Sequence, residues 1–557
     1  MWLSVFIPGL LMISSAVAET LPAPVAPPPQ SNLPGVIGPN NEPAFGPPGS
    51  EAPTVPTTAP ADTTLPAEQT LPAPVSQPGA AGTAPSGSAG SSGKAQSEAP
   101  ATLSLPATGD FESGAEGSGI EWSGYFKNET AYRYKVPRTI TKIRNTLDLR
   151  ADYAFNPTYK LTVAGWAYYD LAYDLFNYDT IAGRQVNDVN QPLAFIYSLG
   201  RDKDQKGIDA REVYLDMHYS KADVRIGRQF VVWGVLDGLR IVDEVQPQDF
   251  RELIMPDLLD SRIPTWMAKV DYYRPEGTYE LLYGPNIRVN KPAPSGSEWE
   301  LLQDVPGVQY PKQWNPLDPE AGIRFSTNAW DTDLSLSYLY TYDYFPTVFR
   351  TVVLNQVAIP PLYNAQYTRI NMFGGTVSKQ LGDYVAKGEI SYVTGKYFSV
   401  VNMDLNHDGV LDSQGELRRD HLRYGFGLDF NWQGIDFSPS LSQWYIFDYT
   451  KYIVIHNFST TLTLFLRKEI PQHSMLVECL MIGFPDLEEA YLNPKVTFII
   501  NDHFKIQPGL NMFWGRKSQF GVLANVNGEP ETLDQESQFL GNFNNNDRVY
   551  VNLTYSF

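Results

Sequence analysis

Acidic and basic side chains crowd one stretch of this sequence. Between residues 234 and 262 stand Asp237, Asp243, Glu244, Asp249, Glu252, Asp257 and Asp260, with Arg240, Arg251 and Arg262 among them. A second group alternates along an apolar segment: Arg144, Asp148, Arg150 and Asp152. Arg225 and Arg228 belong to a third. Carboxylates facing guanidinium groups across a narrow water-filled space would create a transverse field. Such a field orders water and sorts solutes by charge and dipole. The same residues allow another reading, in which acid and base neutralise each other in pairs and brace the fold. Arg144 and Arg150 share one face by strict alternation. Arg225 shares parity with Gln229, against Val224 and Ile226. Arg228 falls on the apolar side by the same count, so either a bulge intervenes or the residue lies at the water line. Arg211, Arg324, Arg369 and Arg423 are the other arginines expected on the polar wall.

A further constellation suits a hard cation. Residues 404–412 follow the pattern D-x-N-x-D-G-x-L-D, the first nine positions of a calcium loop. Asp404, Asn406, Asp408 and Asp412 offer side-chain oxygens and Val410 its carbonyl, while Gly409 permits the sharp turn. A full twelve-residue loop ends on a bidentate Glu. Here residue 415 is Gly and Glu416 comes one position late. The expected cofactor is a structural calcium ion that stiffens the loop. The plainer alternative is an acidic, solvated turn.

Catalytic signatures are lacking. The six histidines are His218, His407, His421, His456, His473 and His503. No Gly-x-Ser-x-Gly, His-Glu-x-x-His or phosphate-binding glycine loop appears. His218 and His421 fall on polar strand faces, with Ser220 near the first, and read as wall residues. The one cysteine, Cys479, leaves no internal disulfide, cysteine zinc site or iron–sulfur cluster. The expectation is that the protein is not an enzyme.

The elements that carry these residues are strands. From Trp122 onward, apolar residues recur at every second position. In 142–155 Ile143, Asn145, Leu147, Leu149, Ala151, Tyr153 and Phe155 point one way, and Lys142, Arg144, Thr146, Asp148, Arg150 and Asp152 the other. The runs at 422–432 and 504–514 repeat the pattern. A soluble sandwich would use strands of about 5–6 residues. A membrane barrel needs about 9–11, with aromatics crowding both interfaces. These runs are long, and Tyr153, Phe155, Tyr340, Tyr342, Trp432 and Trp514 lie near their ends.

Connection lengths point the same way. Short turns fall near 156–158, 221–223, 274–277, 330–332, 382–383, 433–434, 470–473 and 501–503. Long connections near 171–208, 234–264, 284–319, 343–365, 395–419 and 515–546 alternate with them. The predicted fold is all-β: a transmembrane antiparallel barrel of about 18 strands over 122–557. Sixteen is the nearest alternative, because the strands at 277–283 and 484–500 are weak. After Trp233 the alternation stops, so residues 234–262 are expected to fold inward as a constricting loop. Asp249 would cap a short helix over 250–255.

The front of the chain is different. Residues 1–18 read as a signal peptide, with an apolar stretch and Ala16-Val17-Ala18 as cleavage site. Residues 19–121 are rich in Pro, Ala, Ser and Thr and read as a disordered periplasmic tether. Its expected partner, if it has one, is peptidoglycan or a periplasmic protein. The chain holds 42 basic and 62 acidic residues, so a phosphate backbone would be repelled and nucleic acid is excluded as a partner. The final alternating strand, Val549 to Phe557, ends on an aromatic. It resembles the recognition signal of the bacterial barrel-assembly machinery, an implied partner beside outer-membrane lipid and lipopolysaccharide.

Ile226-Gly227-Arg228-Gln229 resembles the strand of general porins that leads into the loop folded inside the pore. The longer run, with Trp233-Gly234, Asp237-Gly238, Arg240, Asp243 and Pro247-x-Asp249, is similar to a proteobacterial family of large porin-like outer-membrane barrels carried as a domain of unknown function. That resemblance implies passage across the outer membrane, for small or amphiphilic solutes or for lipid-like cargo handed over by an inner-membrane exporter. A surface ligand-binding barrel closed by its own loops is the third alternative. Similarity to general porins also implies a homotrimer.

Overall fold

The computed structural model describes residues 119–183, 203–253, 255, 260–294, 297–300, 308–351, 362–400, 405, 413–515 and 540–557. The expected signal peptide and nearly all of the tether lie outside them.

The period-two segments form strands that join edge to edge. β1 (Ile120–Arg133), β2 (Thr139–Asn156), β3 (Tyr159–Asp170), β4 (Lys206–Tyr219), β5 (Ala222–Gln229), β6 (Thr265–Arg274), β7 (Gly277–Gly284), β8 (Glu320–Asn328) and β9 (Thr332–Tyr342) build the first half of the wall. A separate hairpin of β10 (Thr347–Thr351) and β11 (Leu362–Gln366) follows. β12 (Arg369–Leu381), β13 (Tyr384–Ser399), β14 (Glu416–Trp432), β15 (Ile435–Ile446), β16 (Phe458–Ile470), β17 (Met475–Phe484), β18 (Glu489–Ile499), β19 (Phe504–Trp514) and β20 (Arg548–Ser556) complete the wall.

Every wall strand runs antiparallel to its neighbours. β9 pairs with β12, and β20 closes on β1 to give an 18-stranded barrel. The seam runs from Arg133↔Arg548 to Tyr125↔Ser556. It ends with reciprocal backbone bonds of 3.0 Å between Gly124 and Phe557. Closure leaves no open edge, which is the condition for a sheet to cross lipid. The two weak segments are both strands, so the count is eighteen and not sixteen.

The outward face is apolar and bare. Leu336 is 69 % exposed and Phe426 60 %. Aromatics flank the belt at both ends: Trp122, Tyr159, Tyr384 and Trp432 at one, Tyr132, Tyr283, Phe458 and Trp514 at the other. In water such a surface would drive aggregation. In a bilayer it is the wetted face, with aromatics at the interfaces. No helix among the described residues is long and apolar enough to cross a membrane.

The eight expected short turns are present at one end of the barrel. At 433–434 both Gln433 (φ 53°) and Gly434 (φ 72°) adopt positive φ, the geometry that lets a two-residue hairpin follow the strand twist. At the other end the connections are uneven. Those at 134–138, 447–457 and 485–488 are short, so short and long do not alternate without a break as expected. The turn at 485–488 is a single 3-10 turn that falls inside the weak 484–500 segment, so that Phe484 ends β17 and β18 begins at Glu489.

Candidate functional site: the filled lumen

The chain leaves the wall after Gln229, four residues earlier than the sequence pattern indicates. Phe230, Val231 and Trp233 are all buried. Their apolar run mimics a continuing strand, but it packs against the insert and the inner wall. The insert spans residues 230–264 and occupies the lumen. Leu236, Leu239, Ile241, Val242, Phe250 and Leu253 form one apolar core with Ile482, Phe484, Tyr491 and Phe513 of the wall. Val231, Trp233 and Val245 pack with Met267, Leu282, Leu339, Met372 and Val393 in another.

The wall is shaped to receive it. A Cβ on Gly425 would come within 2.4 Å of Ile241 Cδ1. One on Gly427 would meet Leu236 at 2.8 Å, one on Gly374 would meet Val242 at 2.9 Å, and one on Gly322 would meet Trp233 at 2.7 Å. These four glycines share inward parity on β8, β12 and β14 and form a groove for apolar knobs.

Polar groups fix the same docking. The Glu389 carboxylate on β13 accepts three insert N–H groups, from Val235 (2.5 Å), Leu236 (2.8 Å) and Val242 (3.1 Å). Trp233 Nε1 donates to Glu280 at 2.6 Å and the Trp233 N–H to Asp243 at 3.1 Å. The ion pairs then alternate between insert and wall. Asp237 meets Lys387 at 2.9 Å, Glu244 meets Arg423 at 2.8 Å, and Glu252 meets Lys142 at 2.8 Å and also Arg144. Asp243 pairs with Arg262 and lies 3.6 Å from Arg240, which also donates to the carbonyls of Asp243 and Gln246. Burial acts to raise the Asp243 carboxyl pKa, but Arg262 and then Arg240 outweigh it and hold it low. At Glu252 the pull of Arg144 and then Lys142 likewise overcomes burial.

The expected site residues therefore divide. Asp237, Arg240, Asp243 and Glu252 lie in the insert and pair as described. Asp249 caps no helix. Its carboxylate accepts from the Arg251 N–H and holds the Arg251 guanidinium at 2.6 Å, in a turn where Leu253 has φ 53°. Arg144 lines the insert and also meets Asp204 at 3.2 Å. Asp148 approaches Arg211 at 3.9 Å, and Arg211 meets Asp260 at 2.6 Å. Arg150 pairs with Asp152 at 2.7 Å and Glu212 at 2.8 Å nearer the turn end. Arg225 pairs with Asp216 there at 2.6 Å. Arg228 is not a lumen residue. It is the register partner of Val213 and Trp266, on the parity of Ile226, and its guanidinium is tied to Asp209 at 2.7 Å and to the Pro264 carbonyl.

Charge reading from sequence did not reach Glu389, Lys387, Glu280 or the glycine groove. Inward parity on their strands is the signal that would have found the charged ones. Asp404, Asn406, Asp408, Val410 and Asp412 lie outside the described residues. Glu416 opens β14 and accepts from the Ser399 hydroxyl at 2.6 Å. Among the described residues no cluster of three or more acidic, histidine or cysteine residues is placed to hold a metal. His218 meets Asp223 at 3.0 Å, and His421 is buried between Phe398 and Trp444.

The insert meets β2, β7, β8, β12–β14 and β17–β19 and does not fill all the space between these contacts. A cavity of about 120 Å³ runs between it and the inner faces of β1, β2 and β18–β20. Lys127, Lys142, Arg144 and Glu252 line one side, and Asn493, Gln507, Asn511 and Asn552 the other.

Residues 88–433, more than half of the chain, match the family described as "Protein of unknown function (DUF1302)". The chain belongs to that family. The DUF1302 match contains the whole 223–262 segment that carried the resemblance. It starts ahead of the barrel, inside the stretch read as a tether, and stops at the turn between β14 and β15. No curated protein matches the chain. Among solved structures it is similar to OccAB2 of Acinetobacter baumannii, at 10 % identity over 79 % of this chain and 99 % of that one, TM-score 0.41. OccK8 (OprE) of Pseudomonas aeruginosa gives 10 % identity over 79 % and 98 %, TM-score 0.41. A loop-deletion mutant of OmpT, an outer membrane protein of Vibrio cholerae, gives 9 % over 79 % and 99 %, TM-score 0.34.

Proposed function

We propose that this barrel is an outer-membrane, porin-like channel for small solutes, narrowed by residues 230–264. The observation that carries the reading is that the insert fills the lumen without sealing it. It is keyed to a glycine groove and to ion pairs around a closed wall and still leaves a polar cleft of about 120 Å³ beside β1, β2 and β18–β20. A lumen meant only to be sealed would gain by packing that flank too, since unfilled space costs dispersion contacts. Among the described insert residues the apolar side chains other than Met255 point into the insert's own core and the wall, so the cleft offers lipid-like cargo little surface.

The sieve works by width and by paired charges. Bracing outranks a transverse field, because each insert carboxylate described above has a basic partner within 4 Å. Full-length protein in a planar bilayer should give discrete but small conductance steps. Glu389→Ala should enlarge them severalfold, because it frees the insert from β13. A folded, heat-modifiable barrel silent in both forms would exclude the channel and favour a ligand-binding barrel closed by its own loops.

A further inference from the structure

The flank cavity has two chemically unlike walls. On one, charges come in pairs. Lys142 bridges Glu129 at 3.2 Å and Glu252 at 2.8 Å. Arg251 bridges Asp249 at 2.6 Å and Asp204 at 2.7 Å. Six basic and five acidic residues line the cavity in all, and the sixth cation, Lys495, meets Glu478 beyond it at 3.6 Å. The field inside is therefore one of alternating dipoles without net sign.

The other wall, across β18–β20, carries Lys495 and Arg548, each with an acid beside it, and is otherwise a ladder of neutral hydrogen-bonding groups. Asn493 donates to Asn511 Oδ1 at 3.0 Å and to Tyr550 Oη at 3.0 Å. Tyr491 Oη donates to Asn511 at 2.6 Å. Asn552 donates to Gln507 Oε1 at 3.2 Å, and Gln507 donates to Thr497 at 2.8 Å. Each amide offers two donors and two acceptor lone pairs; the Asn493 N–H groups, which also reach the Leu510 carbonyl at 2.8 Å, and Asn511 Oδ1 are taken up within the wall, which leaves Asn493 Oδ1 and Asn511 Nδ2 for a solute. The amides are held in place by their neighbours yet border the cavity.

We propose that this cleft is the solute path and that it selects polar solutes of no net charge, sugars and polyols above all. The inference rests on the channel reading. A net-charged solute entering the cleft would lose hydration and meet no compensating excess charge, because every acid on the charged wall already has its base. A neutral polyhydroxyl solute exchanges water hydrogen bonds for amide ones at little cost.

The test is swelling of liposomes carrying the full-length protein, with arabinose, gluconate and lysine as probes of similar size and different charge. Arabinose should enter fastest. Asn493→Leu with Asn511→Leu should slow arabinose about fivefold or more, the scale of one or two lost hydrogen bonds. Asn552→Asp, which keeps size and shape, should shift preference from arabinose toward lysine. Heat-modifiability on gels reports that each variant folds. Entry of gluconate or lysine at least as fast as arabinose, or an unchanged arabinose rate in folded ladder variants, overturns the proposal. No swelling with any probe in a folded wild-type barrel overturns the channel reading beneath it.

Discussion

At the scale of single residues, the lumen is organised by a few carboxylates whose work differs from their apparent charge chemistry. Glu389 faces no basic group in its described bonds and instead collects three backbone N–H groups of the insert. Hydrogen bonds to charged groups are worth ~1.5–3 kcal/mol each, though not additively. Glu389→Ala should therefore loosen residues 235–242 while leaving the wall ladder intact. Hydrogen exchange should quicken in that stretch alone, with unchanged heat-modifiability. Equal protection there in both proteins would remove Glu389 as a clamp. Glu298, by contrast, sits between bases. It lies 3.5 Å from Arg133 and 3.7 Å from Arg548, and its carbonyl accepts from Asn546. Burial still pushes its carboxyl up to about 7, above the pull of Arg548 and then Arg133. The folded state thus holds a proton that the unfolded chain releases near 4.3. That contribution is complete below the ordinary value and is lost as pH rises through 7. Exchange around residues 297–300, corrected for intrinsic rate, should increase from pH 5 to pH 8, and Glu298→Gln should flatten the rise.

At the scale of elements, the insert is positioned by absence as much as by contact. Gly425 and Gly427 on β14 leave a groove that Ile241 and Leu236 fill. Gly425→Leu adds a side chain where a Cβ alone would lie 2.4 Å from Ile241. Overpacking costs typically ~1–3 kcal/mol, and here the insert can yield more readily than the wall. The variant should fold, melt lower and conduct more than wild type. A conductance no higher than wild type in a folded variant would show that the insert does not gate the lumen. This element also marks the limit of the sequence reading. Strands and turns were legible because lipid on one side and water on the other impose strict alternation. Even β7 and β18, faint in sequence, each meet a short turn that the pattern places correctly, at 274–277 and 501–503. The insert has no such period. Its exit at Gln229 was masked by the apolar run Phe230 to Trp233, and its partners lie on strands as distant as β13 and β14. Glu389 sits 147 residues from Val242, whose N–H it accepts. Pairing across that separation depends on barrel closure and register, which no local pattern encodes. The calcium reading of 404–412 stays at the scale of sequence. Chelation should lower the melting temperature of wild type but not of Asp404→Ala with Asp408→Ala, and an unchanged wild type would remove it.

At the scale of the whole molecule, wall and insert are separable in origin of stability. The wall is held by an unbroken ring of strand pairings closed at β1 and β20. The insert contributes its apolar core and seven acidic against three basic residues, a net of −4. Its two ends are register partners, because Gln229 pairs with Thr265 across β5 and β6. A short turn such as Asn-Gly can therefore replace residues 230–264 without straining either strand. The ring should still close, since its ladder bonds do not pass through the insert. Removal would bare Ile482, Phe484 and Phe513 to lumen water, so the melting temperature should fall. It would also strip Lys142, Arg144, Lys387 and Arg423 of the insert carboxylates that now neutralise them. An open lumen lined by those cations attracts anions. The shortened protein should conduct far more than wild type and prefer chloride over potassium in a salt gradient. A folded variant that conducts no more, or that prefers potassium, would mean that the insert neither fills the pore nor balances the charge of its wall.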